Sequence, residues 1–310
     1  MRGPRLPVEP TAYHAFWRAP GIPWWRPLVS LLVVSGMAIV ALLISVVGWV
    51  GVDLALGIDP FPSGLLAGDY GDVTPGLFLS NNLFLAALIP AVLLGGMVVG
   101  QKAGYLHSIQ GRMRWGWLAT CLLVALVPLG AMIGASYLLT WGELDLRTRP
   151  ETWVLFVGIL LTTPLQAAGE EYAVRGYLPR LIGAWIPNQR ASLLLGALVA
   201  AVVFVKVHGA ADPWLNALYF LFALLLSYLT WRTGGLEAAI AIHLVNNLLR
   251  LLPVPWMGLE GIFDRGEGVA GPWILIDFAV LGIVAVVIDA LARRRGLPTE
   301  TAPGVLSAVA

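Results

Sequence analysis

Charge is scarce in this chain of 310 residues: acidic and basic side chains make up 12% of it, about half the usual share of a soluble domain. So few charges cannot cover a water-facing surface, which excludes soluble enzymes and disordered scaffolds. An excess of either sign is missing as well. The formal net charge of +1 implies no polyanionic partner, and nucleic acid is excluded. Cysteine is reduced to Cys121, set inside an apolar run, so no intrachain disulfide can form. Low-complexity tracts and short-period repeats are absent outside the tail.

Hydrophobic residues fill the space, at 58% of the chain. They form eight continuous runs of about the length that spans a bilayer: Pro27–Val52, Gly76–Gly100, Trp115–Trp141, Trp153–Ala173, Ala191–Val207, Trp214–Trp231, Leu236–Leu252 and Pro272–Ala292. A β-barrel would need short alternating segments instead. The expected fold is an all-α, polytopic membrane helix bundle of about eight transmembrane helices. The first run is too long for a signal-peptide core and lacks a cleavage pattern, so we expect it to be retained.

Basic residues orient the bundle. Arg2, Arg5, Arg18 and Arg26 precede the first run, Lys102, Arg112 and Arg114 follow the second, and Arg180 and Arg190 follow the fourth. Arg232 follows the sixth, and Arg293, Arg294 and Arg295 follow the eighth. The opposite loops carry Arg147, Arg149 and Arg265 among the acids Asp53, Asp59, Glu143, Asp145, Asp212, Glu260 and Asp264. Both termini are therefore expected in the cytoplasm. The excess of arginine over lysine and the abundance of alanine fit a GC-rich genome, which makes a bacterial cell membrane the expected location. Residues 1–26 read as a cytoplasmic arm lying on the headgroups, 27–150 as N-terminal membrane helices and 151–255 as a catalytic core. Residues 256–295 read as an outer loop and the last span, and 296–310 as a disordered cytoplasmic tail. The loop Asp53–Pro75, rich in Gly, Pro and Asp, would cap the outer face.

Ionisable groups inside apolar helices are costly and mark function by default. The fourth run ends in GEEYAVRGYLPR, the fifth in FVKVHG, and the seventh contains HLVNNLLR. They supply Glu170, Glu171 and Arg175; Phe204, Lys206 and His208; and His243, Asn246, Asn247 and Arg250. Glu171 and Arg175 stand four apart on one face, oriented for an ion pair. Glu170 points about 140° from Arg175 and is left as the unpaired carboxylate, suited to a general base. His243 and Asn247 also share a face, where an imidazole and an amide suit a developing oxyanion. Blander roles compete: a structural ion pair for Glu171–Arg175, interhelical hydrogen bonding for Asn246 and Asn247, snorkelling for Lys206 and Arg250, and a plain buried contact for Asp277. The co-occurrence of Glu170, His208, His243 and Asn247 on three helices favours function.

GEEYAVR fits EExxxR, FVKVH fits FxxxH and HLVNN fits HxxxN. In this order on successive apolar helices, over about residues 150–255, they resemble the CPBP intramembrane proteases, also called the Abi or CAAX-protease-like family. The resemblance implies an intramembrane endopeptidase acting on a membrane-tethered or hydrophobic peptide. Glu170 and His208 would activate water, and His243 and Asn247 would hold the oxyanion. Glu171 and Arg175 would support them, with Phe204 packed beside the water. The family has been described both as metalloprotease and as glutamate-dependent. A Zn²⁺ site from Glu170, His208 and His243 has a sufficient donor set, while HExxH is absent. A non-proteolytic immunity or scaffold protein and a proton-coupled transporter are the competing functions, though no pair of broken helices supports transport. Depth sets one requirement. On these runs Glu170 lies near the cytoplasmic end and His208 near the outer end, so either the fourth helix continues past Arg175 or the fifth is shifted inward.

Overall fold

Eight helices long and apolar enough to cross a membrane run through the structure, a computed structural model that describes residues 6–62, 73–259 and 263–302. They are α1 (Arg26–Ala55), α2 (Pro75–Val99), α3 (Trp115–Leu139), α4 (Thr152–Gly183), α5 (Gln189–His208), α6 (Pro213–Thr233), α7 (Glu237–Met257) and α8 (Ile274–Arg294). The chain is an integral membrane helix bundle. Among the described residues no strand forms. Of the charge pattern, Arg2, Arg5 and Glu260 lie outside the described residues, as do 63–72 of the loop after α1 and 303–310 of the tail.

Helix ends follow local chemistry. Pro75 and Pro213 open α2 and α6, where a missing N–H costs nothing. Thr74 and Asp212 cap them by accepting backbone N–H bonds. Gly209 ends α5 at φ 62° and Gly234 ends α6 at φ 63°, left-handed positions that favour glycine. One large apolar cluster joins α3, α5, α6, α7 and α8. A second joins α1, α2 and α4 with the N-terminal arm and the start of α7.

The fourth helix departs most from its expected bounds. Instead of stopping at Ala173 it continues through a π-helical segment, Tyr172–Tyr177, into a final turn, Leu178–Gly183. Pro179 explains the widening. Its ring would clash with the carbonyl four residues back, that of Arg175, and it has no N–H to offer. A wider turn just before it absorbs both defects. The continuation narrows the depth gap between Glu170 and His208. At about 1.5 Å per residue, Glu170 lies about 20 Å from the Gly183 end of α4, and His208 about 28 Å from the adjoining Gln189 end of α5. Lys206 faces outward and is exposed near the end of α5, as a snorkelling side chain should be.

Part of the N-terminal arm is buried in the bundle. Residues Tyr13–Arg18 form a 3-10 turn, buried as far as Trp17, wedged into one end of the bundle. Tyr13 Oη donates to the Leu106 carbonyl at 2.5 Å, and Gln101 Nε2 donates to the Phe16 carbonyl at 2.7 Å. Burial pushes the Tyr13 phenol up to about 12, keeping it a donor. The Arg180 guanidinium lies 4.0 Å from the Tyr13 ring centroid and 4.9 Å from that of Phe16. Nor is the start of the tail free: Ala12 pairs with Glu300, and Thr301 N–H donates to the Thr11 carbonyl at 3.1 Å. Tyr13, Phe16 and Trp17 thus form an aromatic plug against α2, α4 and the start of α7, while Trp24 and Trp25 stay exposed.

His14 gives the plug a pH dependence. Its Nε2 meets the Gln189 carbonyl at 3.0 Å. Burial, aided by the charge of Arg180 and opposed by that carbonyl, holds its pKa below the ordinary 6.5. A folded pKa below the unfolded one means that the unfolded arm binds the proton more readily. Plug stability is therefore full above about pH 6.5 and falls as the pH drops below it. Hydrogen exchange across residues 11–18 should accelerate at pH 5 relative to pH 7.5 beyond the chemical rate difference, and His14→Gln should flatten that dependence.

Close packing of α2 on α4 sets the height of the polar site. A methyl group on Gly169 would run into the backbone carbonyl of Leu85, one residue before Glu170. Small residues at a crossing let membrane helices approach in this way. Gly169→Ala is expected to cost about 1–3 kcal/mol through forced backbone movement, read as a lower thermal midpoint in detergent. An unchanged midpoint would show that the crossing is loose.

Candidate active site

Three of the marked helices bring their polar groups together. Glu171, fully buried, accepts from Arg175 Nη1 at 2.9 Å and contacts His243 Nδ1 at 2.6 Å, both through Oε1. A carboxylate can only accept, so His243 donates from Nδ1 and its Nε2 is turned the other way. Glu170 lies there, its Oε2 3.6 Å from Nε2. That spacing is too long for a hydrogen bond, yet lets both atoms reach one water about 2.8 Å from each. Glu170 Oε2 is buried without a hydrogen-bond partner. Its other oxygen accepts from Gln166 Nε2 at 2.7 Å.

The opposite wall carries His208, whose Nδ1 donates to the Phe204 carbonyl at 2.7 Å, leaving Nε2 as an acceptor. Its ring lies between Phe204 and Tyr219, at centroid distances of 4.3 and 4.2 Å. Phe204 also touches the His243 ring, at 6.0 Å, and carries the Arg175 guanidinium 4.4 Å from its centroid. One side chain thus spaces both imidazoles and the arginine. A cavity of about 80 Å³ opens between the walls, and His208, Tyr219, His243, Asn246, Asn247 and Arg250 all contribute to its lining. Glu170 is not among the lining residues and meets this group through His243.

The expected residues Glu170, Glu171, Arg175, Phe204, His208, His243 and Asn247 thus fall in one neighbourhood, but with a different pairing. The imidazole beside Glu170 is that of His243, and His208 stands across the cavity. Glu171 is more than a partner for Arg175, since it also fixes the His243 ring. Gln166 escapes a search restricted to ionisable groups. Its signal is present nonetheless, as an amide one helical turn before Glu170 in an apolar run. Arg250 does not snorkel; it pairs with Asp277 and donates to Asn246.

Glu170, His208 and His243 are not grouped closely enough in this structure to form a three-ligand metal site. Among the described residues no group of three His, Cys, Asp or Glu side chains is placed to hold one.

Comparison with known proteins agrees with the motifs. Residues 151–249 match the family model described as type II CAAX prenyl endopeptidase Rce1-like, a span that contains all seven residues and bears out the resemblance drawn from the sequence. The chain is also similar to the uncharacterized protein YyaK of Bacillus subtilis (strain 168), at 23% identity over 236 residues, covering 72% of this chain and 76% of the relative. No solved structure matches.

Proposed function

We propose, from the Rce1-like match over residues 151–249 and the geometry around it, that this chain is an intramembrane endopeptidase hydrolysing a membrane-tethered or hydrophobic peptide. One observation carries the proposal: a buried Glu170 oxygen with no partner, 3.6 Å from His243 Nε2, beside a cavity lined by His208 and Asn247. Partnerless buried carboxylate oxygens are costly, and hydrolysis gives this one a use.

The attacking water donates one hydrogen to Glu170 Oε2 and the other to His243 Nε2, and His208 faces the cavity from the opposite wall. Its oxygen bonds to the peptide carbonyl carbon while its proton passes to Glu170. The carbonyl electrons move onto oxygen, where the Asn247 amide donates to the developing charge. His243 takes the proton at Nε2 while Glu171 keeps its Nδ1–H. It then gives the proton to the leaving nitrogen as the C–N bond breaks. Low dielectric around the cavity strengthens each of these interactions.

The test is cleavage of a panel of membrane-anchored and lipidated peptides by purified protein, with Glu170→Ala beside it. Equal cleavage by the two would overturn the assignment. With Glu170 and His243 as the proton carriers, activity is expected to survive exhaustive chelation, with elemental analysis of the treated protein showing less than one zinc per chain. Loss of cleavage restored by added zinc would reverse that expectation. By the orientation of the basic residues, the plugged end faces the cytoplasm.

A further inference from the structure

Five side chains, three lining the cavity and two behind it, form an unbroken row of hydrogen bonds. Arg250 Nε donates to Asn246 Oδ1 at 3.2 Å, Asn246 Nδ2 donates to Asn247 Oδ1 at 3.2 Å, Asn247 Nδ2 donates to Gln166 Oε1 at 3.2 Å, and Gln166 Nε2 donates to Glu170 Oε1 at 2.7 Å. Each amide can in principle be turned over, exchanging donor and acceptor. The ends of the row forbid it. A guanidinium has only donors, and a carboxylate only lone pairs. With Arg250 at one end and Glu170 at the other, all three amides must face the same way.

We propose that Gln166, Asn246 and Arg250 are positioning residues: this one-directional row, anchored at its far end by the Arg250–Asp277 ion pair, holds Asn247 with its NH₂ available to the oxyanion and holds Glu170 with its free oxygen toward His243. The proposal rests on the endopeptidase function above. Asn247 uses one amide hydrogen on Gln166 and has a second to donate into the cavity that it lines. Were Asn247 reversed, its carbonyl oxygen would meet the developing negative charge instead. Bonds in a row polarise one another in a low-dielectric site, so each link strengthens the next. None of these three side chains touches the reacting atoms. They act through Asn247 and Glu170, and the effect belongs in kcat rather than in KM.

Asn246 is the most informative link, since within the row it reaches Glu170 only through Asn247 and Gln166. Asn246→Asp keeps the shape and the acceptor for Arg250 but removes the donor to Asn247, while Asn246→Leu removes both. Each is expected to lower kcat roughly 10- to 100-fold with KM unchanged. Asn247→Ala should lower kcat by itself, and adding Asn246→Asp to it should then change kcat less than twofold. Additive losses in that cycle, or an Asn246→Asp enzyme with wild-type kcat, would overturn the row while leaving Glu170-dependent cleavage intact. Absence of any Glu170-dependent cleavage in the parent would overturn the endopeptidase and the row together. Asn246→Asp also separates the row from folding, because the near-isosteric side chain keeps its bond to Arg250. A thermal midpoint equal to the parent's with kcat reduced is the expected pattern.

Discussion

Glu170→Gln is expected to lower kcat for peptide cleavage by roughly 10²- to 10⁴-fold, the range that a positioned general base supplies, while leaving the protein at least as stable as the parent. The two halves of this outcome come from the same atom. Glu170 Oε2 is buried and has no hydrogen-bond partner, so its charge contributes nothing to holding the helices together and costs desolvation. Glutamine fills the same volume and still reaches Gln166, but it cannot take a proton from water. Active sites often carry such destabilised groups, and neutralising them commonly raises stability as activity falls. Single-turnover cleavage of an anchored peptide gives the first quantity, and thermal unfolding in the same detergent gives the second. A variant that loses activity and stability together would make Glu170 a strut between helices. A variant that keeps its activity would move the base to His243, whose Nδ1 contact with Glu171 already resembles the orienting pair of an imidazole base.

Much of this arrangement is legible from the residues alone, because lipid imposes severe rules. Unbroken apolar runs locate eight spans, since a bilayer tolerates only closed hydrogen bonding. The cost of burying charge singles out Glu170, Glu171, Arg175, His208 and His243. What escapes the sequence depends on contacts between helices. Periodicity can pair Glu171 with Arg175 on one helix, but not with His243 on another. Pro179 reads as a stop, yet the π segment before it lets α4 run on to Gly183. The buried arm is hidden for a similar reason. Tyr13, Phe16 and Trp17 suit an interface as well as a core, and only their contacts with Arg180 and the buried cluster around it decide between them. Gln166 was within reach: an amide in an apolar run is subject to the same polar-burial cost as a carboxylate, only smaller.

Arg175 should produce the largest loss of stability. Its side chain is fully buried, paired with Glu171 at 2.9 Å and packed over Phe204 at 4.4 Å. Replacing it with methionine keeps much of the volume but strips Glu171 of its cation deep in the bundle. Breaking one side of such a pair costs about 3–5 kcal/mol, enough to lower the thermal midpoint by several degrees or to prevent recovery of folded protein. Lysine is no remedy, because a compact ammonium lacks the planar face that stacks on Phe204. The double variant Arg175→Met with Glu171→Gln separates charge from packing. With no uncompensated carboxylate left, it should regain most of the lost stability, as neutral replacements of buried pairs often do. It should not regain activity, because the ionised partner of His243 Nδ1 is gone and the imidazole can no longer be held as a proton carrier between Glu170 and the leaving nitrogen. A double variant as unstable as Arg175→Met would assign the loss to the contact with Phe204. A double variant restored in both stability and cleavage would reduce Glu171 to a counter-ion for Arg175, and the orientation of His243 would then have to come from the aromatic rings around it.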